Sequence, residues 1–184
     1  MNIVGSVIAR IGSKRLTYKN LLPYKGEPLV LRAVRKLLES ETVDQVVVST
    51  DSELIARTCL LDGVEILHRP KSLACDSTAS IPVFQHIVEH FPCDIHINYN
   101  CNFPECDQSV IDQAISIASE TGEALSDPYA VWAQTKDCLD AYGDPFKITA
   151  TQFKSPNVHP LDVHTMEDLL KVHRSNQGNF QWDK

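Results

Sequence analysis

The sequence predicts an α/β fold, with a mostly parallel central sheet and helices on both faces. Three observations predict it. Short apolar runs of strand length recur along the chain, and most are followed by a segment with apolar residues at helical spacing. The first run is apolar almost throughout, as a strand covered on both faces must be. Polar turns rich in Ser, Thr, Asp and Gly separate runs from helices, the punctuation of strand–turn–helix units. The chain has 184 residues, 43% hydrophobic and 22% charged. That suits one domain with a single core over residues 1–184.

The elements follow in order. Residues 3–9 (Ile-Val-Gly-Ser-Val-Ile-Ala) read as a buried first strand. Residues 10–20 form a polar, basic loop with one glycine, Gly12. Gly26-Glu27-Pro28 opens a helix, with Pro28 suited to its first turn and Leu29, Ala33 and Leu37 on its apolar face. A second strand spans residues 43–49. Thr50-Asp51-Ser52 then offers side-chain acceptors to the free amides of a helix over 53–61. A third strand, 64–67, ends at His68-Arg69-Pro70. Ile81, Phe84 and Val88 line one side of a helix over 78–90, residues 94–99 alternate as a fourth strand, and a helix covers 108–119. Residues 122–143 show no clear period and read as a loop or an oligomer contact. Further strands are expected over 146–151 and 158–163, then a helix over 166–173. Thr165 and Asp168 have the spacing of a capping box there. In such sheets ligands bind beyond the carboxyl ends of the strands. That places the loops at 10–20, 50–51, 69–80 and 98–104 on one rim.

Charge is unevenly spread. The net formal charge is −7, which argues against general nucleic-acid binding. Yet residues 1–38 contain Arg10, Lys14, Arg15, Lys19, Lys25, Arg32, Arg35 and Lys36 against a single acid, Glu27. One basic end on an acidic chain attracts anions locally. No apolar stretch approaches the ~20 residues that cross a bilayer. The apolar start lacks the features of an export signal, so a cytoplasmic location is expected. The six cysteines form no Cys-x-x-Cys pair and read as reduced, structural thiols.

The first loop carries the strongest chemical signal. Holding a triphosphate takes backbone amides near a glycine and cations to neutralise phosphate oxygens. Gly12-Ser13-Lys14, directly after a strand, supplies both, and the planar fork of Arg10 can pair with phosphate or ribose oxygens. Neither the Gly-x-x-x-x-Gly-Lys-Ser/Thr nor the Gly-x-Gly-x-x-Gly pattern is present, which argues against the usual ATPase and dinucleotide-binding readings.

Ala9-Arg-Ile-Gly-Ser-Lys-Arg-Leu16 with Lys19-Asn20 resembles the N-terminal signature of the cytidylyltransferases that make CMP-sialic acid and related CMP-nonulosonic acids, with CMP-Kdo synthetases as more distant relatives. Further matches follow in order: Pro28-Leu29, Val48-Ser-Thr-Asp-Ser52, Arg69-Pro70 with Leu73-Ala-Cys-Asp-Ser-Thr-Ala-Ser80, and Leu161-Asp-Val-His-Thr-Met-Glu-Asp-Leu169. The resemblance implies a Rossmann-like nucleotide-diphospho-sugar transferase fold. It also implies transfer of CMP from CTP to a small acidic sugar, with release of pyrophosphate. Catalytic roles fall on Arg10, Lys14 and Asp162. Substrate contacts fall on Ala9, Arg10, Gly12, Ser13, Lys14, Lys19, Asn20, Arg69 and Ser80. The implied cofactor is Mg²⁺, at Asp162 and at the position taken here by His164.

Three departures bear on that expectation. Imidazole at His164 suits zinc, nickel or manganese better than Mg²⁺. After the fourth strand the chain reads Asn98-Tyr-Asn-Cys-Asn-Phe-Pro104, then Glu105-Cys106-Asp107, where the family has a Gln-Pro-Thr-Ser-Pro-like segment and basic residues. The segment through which relatives dimerise is short, so a homodimer by that route is less expected. Two other readings stay open: transfer to another small acceptor, such as a phosphonate, or a non-catalytic relative that only binds nucleotide. Neither nucleic acid nor membrane is an expected partner.

Overall fold

The structure is a computed structural model that describes residues 1–177. Strands β1 (Ile3–Ile8), β2 (Pro23–Tyr24), β3 (Glu27–Pro28) and β4 (Gln45–Thr50) precede β5 (Val64–His68) and β6 (Ile95–Tyr99). Then come β7 (Glu123–Ser126), β8 (Val131–Thr135) and β9 (Thr151–Phe153). The helices are α1 (Leu29–Leu38), α2 (Glu53–Thr58), α3 (Ser80–His90), α4 (Ser109–Thr121), α5 (Lys136–Asp140) and α6 (Met166–Gln177).

Seven strands form one sheet in the order β5-β4-β1-β6-β8-β7-β9. β5, β4, β1 and β6 run parallel, and β8 is antiparallel to both its neighbours. Alternation along the strands divides the core. Val7, Val46 and Val48 face α1, α2 and α4, while Val4 and Val47 face α3 and α5. β1 and β4 are thus buried on both sides, which is why the first strand reads as a continuous apolar run. Gly5 is required by this packing: a Cβ there would lie 2.8 Å from Val43 Cγ1.

Four sequence readings change. Gly26 does not open a helix. It sits at φ +84° beside Lys25 at +50°, in the turn of the β2–β3 hairpin, and Pro28 is the cap before α1. Residues 122–143 hold β7, β8 and α5 rather than a loop. Residues 146–151 are largely outside the sheet, with Phe146 and Ile148 exposed, and only the short β9 begins at Thr151. Residues 158–163 form no strand. Val163 and Leu161 instead pack with Tyr24, Leu29 and Leu169, which fastens α6 and the segment before it onto the hairpin. The capping box forms as read: the Thr165 amide donates to Asp168 Oδ2 (2.9 Å) and the Asp168 amide to Thr165 Oγ1 (3.2 Å).

One polar line runs through the middle of the sheet. His96 is fully buried between Ser6 and Gln134 on adjoining strands. Its Nδ1–H donates to Gln134 Oε1 (3.2 Å), so Nε2 accepts the Ser6 hydroxyl (2.8 Å) and the ring is neutral. Burial pushes its pKa from 6.5 down to about 4, against a smaller opposing effect of the Gln134 bond. The unfolded chain protonates this ring at the ordinary value and the folded chain resists to about 4. Stability is therefore complete above that ordinary value and falls as pH drops towards 4, by about 3 kcal/mol in total. Urea unfolding midpoints at neutral pH and near pH 4 will measure it. His96→Gln should flatten this part of the profile, and equal slopes in the two proteins would contradict the assignment.

Candidate functional site

The site begins where β1 ends. The Ala9 amide donates to the Ser49 carbonyl (3.0 Å), which carries the chain one residue past β1 alongside β4. Ala9 itself is wholly buried in the core, so its side chain reaches no ligand. The chain then turns outward. Asp51 Oδ1 accepts the Ile11 amide (3.0 Å) and pins the loop, while Ser52 Oγ accepts the Ile55 amide (3.3 Å) and caps α2. Ser13 Oγ accepts the Leu16 amide (3.4 Å). Asn20, 8% exposed, donates to the Arg10 carbonyl (3.0 Å) and accepts the Cys101 thiol (3.2 Å), tying the loop's far end to its start. Around Gly12 space is open: a Cβ there would meet nothing within 4 Å, so a ligand can approach the backbone.

A cavity of about 520 Å³ opens at the carboxyl ends of β1 and β6. β4 and β5 lie on one side of β1 and β6 on the other. This is the switch point of the sheet, where ligands of open α/β folds bind. The first loop lines it with Arg10, Gly12, Ser13, Lys14, Lys19 and Asn20. Arg69, Asp76 and Ser80 come from the segment after β5, and Asn98, Asn100, Asn102 and Tyr129 from the β6 and β8 side. Arg15 and His164 stand at it as well. Nearly all the residues singled out in the sequence therefore converge. Ala9 and Asp162 are not in the lining, though Asp162 lies directly behind His164.

The cations differ in state. Arg10 and Lys14 both pair with the Asp76 carboxylate, Lys14 at 2.7 Å. Hydrogen bonds from Lys14, then Arg10, hold that carboxyl below its ordinary pKa. Arg69 is 4% exposed and donates to the Ser49 carbonyl (2.9 Å), but its Nε has no partner among the described residues. Burial pushes Arg69 down to about 10, partly countered by Asp51. Lys19 donates to Asn102 Oδ1 (2.5 Å). Burial lowers its pKa, against the charges of Cys101 and Asp162.

The segment before α6 reaches the site through one backbone bond, from the Val163 amide to the Asn102 carbonyl (2.9 Å). Asp162 Oδ2 and His164 Nε2 lie 2.7 Å apart, and Arg15 approaches His164 Nδ1 at 2.9 Å. A guanidinium only donates. Nδ1 therefore accepts from Arg15, and Nε2–H donates to Asp162. Asp162 Oδ1 is buried without a partner among the described residues. Among the described residues no three His, Cys, Asp or Glu side chains converge as a metal-holding group. Mg²⁺ requires near-octahedral oxygen coordination, and one free carboxylate oxygen does not fit an ion held by the protein alone.

Glu105 and Asp107 do not face the cavity. Glu105 accepts from Tyr24 and pairs with Lys25 (2.5 Å) and Arg32 (3.8 Å), and Asp107 accepts the Ser109 amide (2.9 Å) at the start of α4. They therefore place no acid where an acidic ligand would sit.

The site residues not singled out from sequence include Arg15, Asp76, Asn98, Asn100, Asn102 and Tyr129. The readable signal was polarity inside apolar strands. Tyr129 donates to Asn98 Oδ1 (2.9 Å), and Asn98 Nδ2 donates to Ser6 Oγ (3.3 Å), which in turn donates to His96. The cavity floor is thus orientated by a hydrogen-bond chain reaching into the sheet.

Comparison with known proteins follows the same line. The family described as cytidylyltransferase matches residues 4–177. Over 150 residues the chain is 31% identical to a 3-deoxy-manno-octulosonate cytidylyltransferase of Chlorobaculum parvum, covering 82% of this chain and 59% of that protein. Over 84 residues it is 36% identical to an N-acylneuraminate cytidylyltransferase of Escherichia coli O18:K1:H7, covering 46% of this chain and 20% of that one. The chain spans about half the length of the 3-deoxy-manno-octulosonate cytidylyltransferases it matches. Among solved structures, a CMP:2-keto-3-deoxy-manno-octonic acid synthetase complexed with CTP has the same fold. The TM-score is 0.80 at 17% identity, over 95% of this chain and 98% of that one.

Proposed function

We propose, from the premise that this chain belongs to the cytidylyltransferase family, that it transfers CMP from CTP to a small acidic sugar and releases pyrophosphate. The observation that carries this reading is the convergence of Arg10, Lys14 and Arg69 around an open glycine turn at the switch point of the sheet. The names of the relatives, one acting on 3-deoxy-manno-octulosonate and another on N-acylneuraminate, support an acidic sugar as acceptor.

The reaction is an in-line displacement. A hydroxyl oxygen of the sugar bonds to the α-phosphorus of CTP. The bond from that phosphorus to the bridging oxygen breaks, pyrophosphate departs with the electron pair, and the hydroxyl proton passes to solvent. Such chemistry asks the protein for positioning and charge neutralisation more than for a covalent partner. The turn at Gly12 and Ser13 offers backbone amides to the phosphates. Arg10 and Lys14 neutralise the departing pyrophosphate. Arg69, held by its bond to the Ser49 carbonyl that also accepts the Ala9 amide, meets the nucleotide beside the start of the first loop. Asn98, Asn100 and Tyr129 present neutral polar groups to the remaining volume, which suits a polyhydroxylated acceptor.

Pyrophosphate release is the direct test. With Mg²⁺ in solution, CTP should support turnover with at least one acidic sugar, while ATP, GTP and UTP support much less. If CTP binds but no acidic sugar or phosphonate gives pyrophosphate, the catalytic reading is lost and a nucleotide-binding role remains.

A further inference from the structure

We propose that this chain keeps no divalent cation of its own, and that Arg15 and Lys19 stand where a resident metal would, so that magnesium reaches the site only on the triphosphate. The inference rests on the cytidylyl-transfer reading and goes beyond it by assigning the local positive charge to two side chains.

Three side chains between the first loop and the segment before α6 carry lone pairs that a cation would need: Asp162, His164 and Asn102. Two of them are already capped by cations. The Arg15 guanidinium donates to His164 Nδ1 (2.9 Å), and that bond fixes the remaining ring proton on Nε2, which faces Asp162 Oδ2 (2.7 Å). The imidazole therefore has no lone pair to offer. The Lys19 ammonium donates to Asn102 Oδ1 (2.5 Å), and the charges of Cys101 and Asp162 partly offset the lowering of its pKa by burial. Asp162 keeps a single unpartnered oxygen, Oδ1. That is one ligand position of the roughly six that Mg²⁺ fills. A free dication arriving there would also meet two positive charges at short range, the half-buried Lys19 ammonium and the exposed Arg15 guanidinium, and solvent screens the repulsion least at Lys19.

A triphosphate alters this balance. Its oxygens supply most of a metal's coordination before it reaches the protein, and its negative charge is what Arg15 and Lys19 attract. Each cation is anchored by a neutral partner, His164 or Asn102, rather than by a carboxylate. Each therefore retains net charge for an anionic ligand. His164 on this account is a positioning residue: it holds Arg15 and, through Nε2–H, Asp162.

Mn²⁺ is the probe, followed by the paramagnetic resonance signal of the free ion. Titrated into the nucleotide-free chain, it should remain free. The His164→Asp, Arg15→Ala double variant supplies a second carboxylate and removes the guanidinium. It should gain a site at least about tenfold tighter than any in the wild type. Calorimetry supplies the second readout: CTP should bind in EDTA within about tenfold of its affinity with Mg²⁺, and Arg15→Ala should weaken the binding seen in EDTA. Mn²⁺ binding to the nucleotide-free wild type, displaced by Mg²⁺ and lost in Asp162→Asn, would overturn the proposal. So would a folded double variant that gains no Mn²⁺ site, because Arg15 would then not be what excludes the metal. Failure of CTP to bind under either condition would instead strike the nucleotide reading, and the Mn²⁺ titration would still decide the metal question.

Discussion

Lys14→Ala is expected to slow cytidylyl transfer by roughly 100- to 1,000-fold, with the unfolding transition unchanged. The side chain is 81% exposed and its partner is the Asp76 carboxylate, itself 37% exposed. Removing an exposed pair of this kind costs a fold little. In the complex, however, Lys14 would sit at the turn that receives the phosphates, where negative charge grows as pyrophosphate leaves. Asp76 sharpens the test. In the ligand-free chain it binds both Arg10 and Lys14 and so occupies the place an anion would take. Asp76→Asn should therefore tighten CTP binding, though by no more than about fivefold, because solvent-exposed pairs are weak clasps. Lys14→Ala is thus read in turnover and Asp76→Asn in nucleotide affinity. Steady-state turnover and calorimetric affinities will show it, and a Lys14→Ala enzyme with wild-type turnover would remove the phosphate loop from the mechanism.

The parts of this fold that were legible in the sequence are those where local rules and burial agree. β1 is continuous apolar chain because helices cover it on both sides, and Thr165 and Asp168 cap α6 because three-residue spacing alone sets that contact. The first loop was legible because phosphate chemistry restricts the residue types that can follow a strand. Long-range causes were not legible. β7 and β8 escaped notice because Glu123 and Gln134 interrupt an apolar pattern. Both are buried, and Glu123 is held by Trp132 (2.9 Å) on the neighbouring strand and by Thr149 (2.7 Å), 26 residues further along, pairings that apolar periodicity does not reveal. Residues 158–163 imitate a strand because Val158, Leu161 and Val163 are apolar, but Leu161 and Val163 answer to the hairpin and α6 rather than to the sheet. At the site, Arg15 looked like one charge among eight until the fold brought it to His164, 149 residues further along the chain. Asp76 and Tyr129 acquire roles only through partners in other elements.

Arg69→Met should make the ligand-free chain more stable while nearly abolishing nucleotide binding. Arg69 is 4% exposed and, among the described residues, has no carboxylate within ion-pair distance. Burial drags its pKa down to about 10, Asp51 offers only partial relief, and Nε donates to nothing. A buried cation so poorly compensated burdens the fold. A methionine of similar volume replaces it without that penalty, and the gain should be about 1–3 kcal/mol. The one direct bond it forfeits, to the Ser49 carbonyl, leaves that oxygen still paired with the Ala9 amide (3.0 Å). What the guanidinium lacks within the fold an anionic nucleotide supplies, and charge-assisted bonds to a buried group are the strong kind. CTP affinity should accordingly fall about 100-fold in the variant. Urea unfolding and CTP calorimetry on the same preparation read both effects. A destabilised variant would make Arg69 a structural residue, and unchanged affinity would place the nucleotide elsewhere. Stability and affinity moving apart is the outcome expected of a charge kept buried for its ligand.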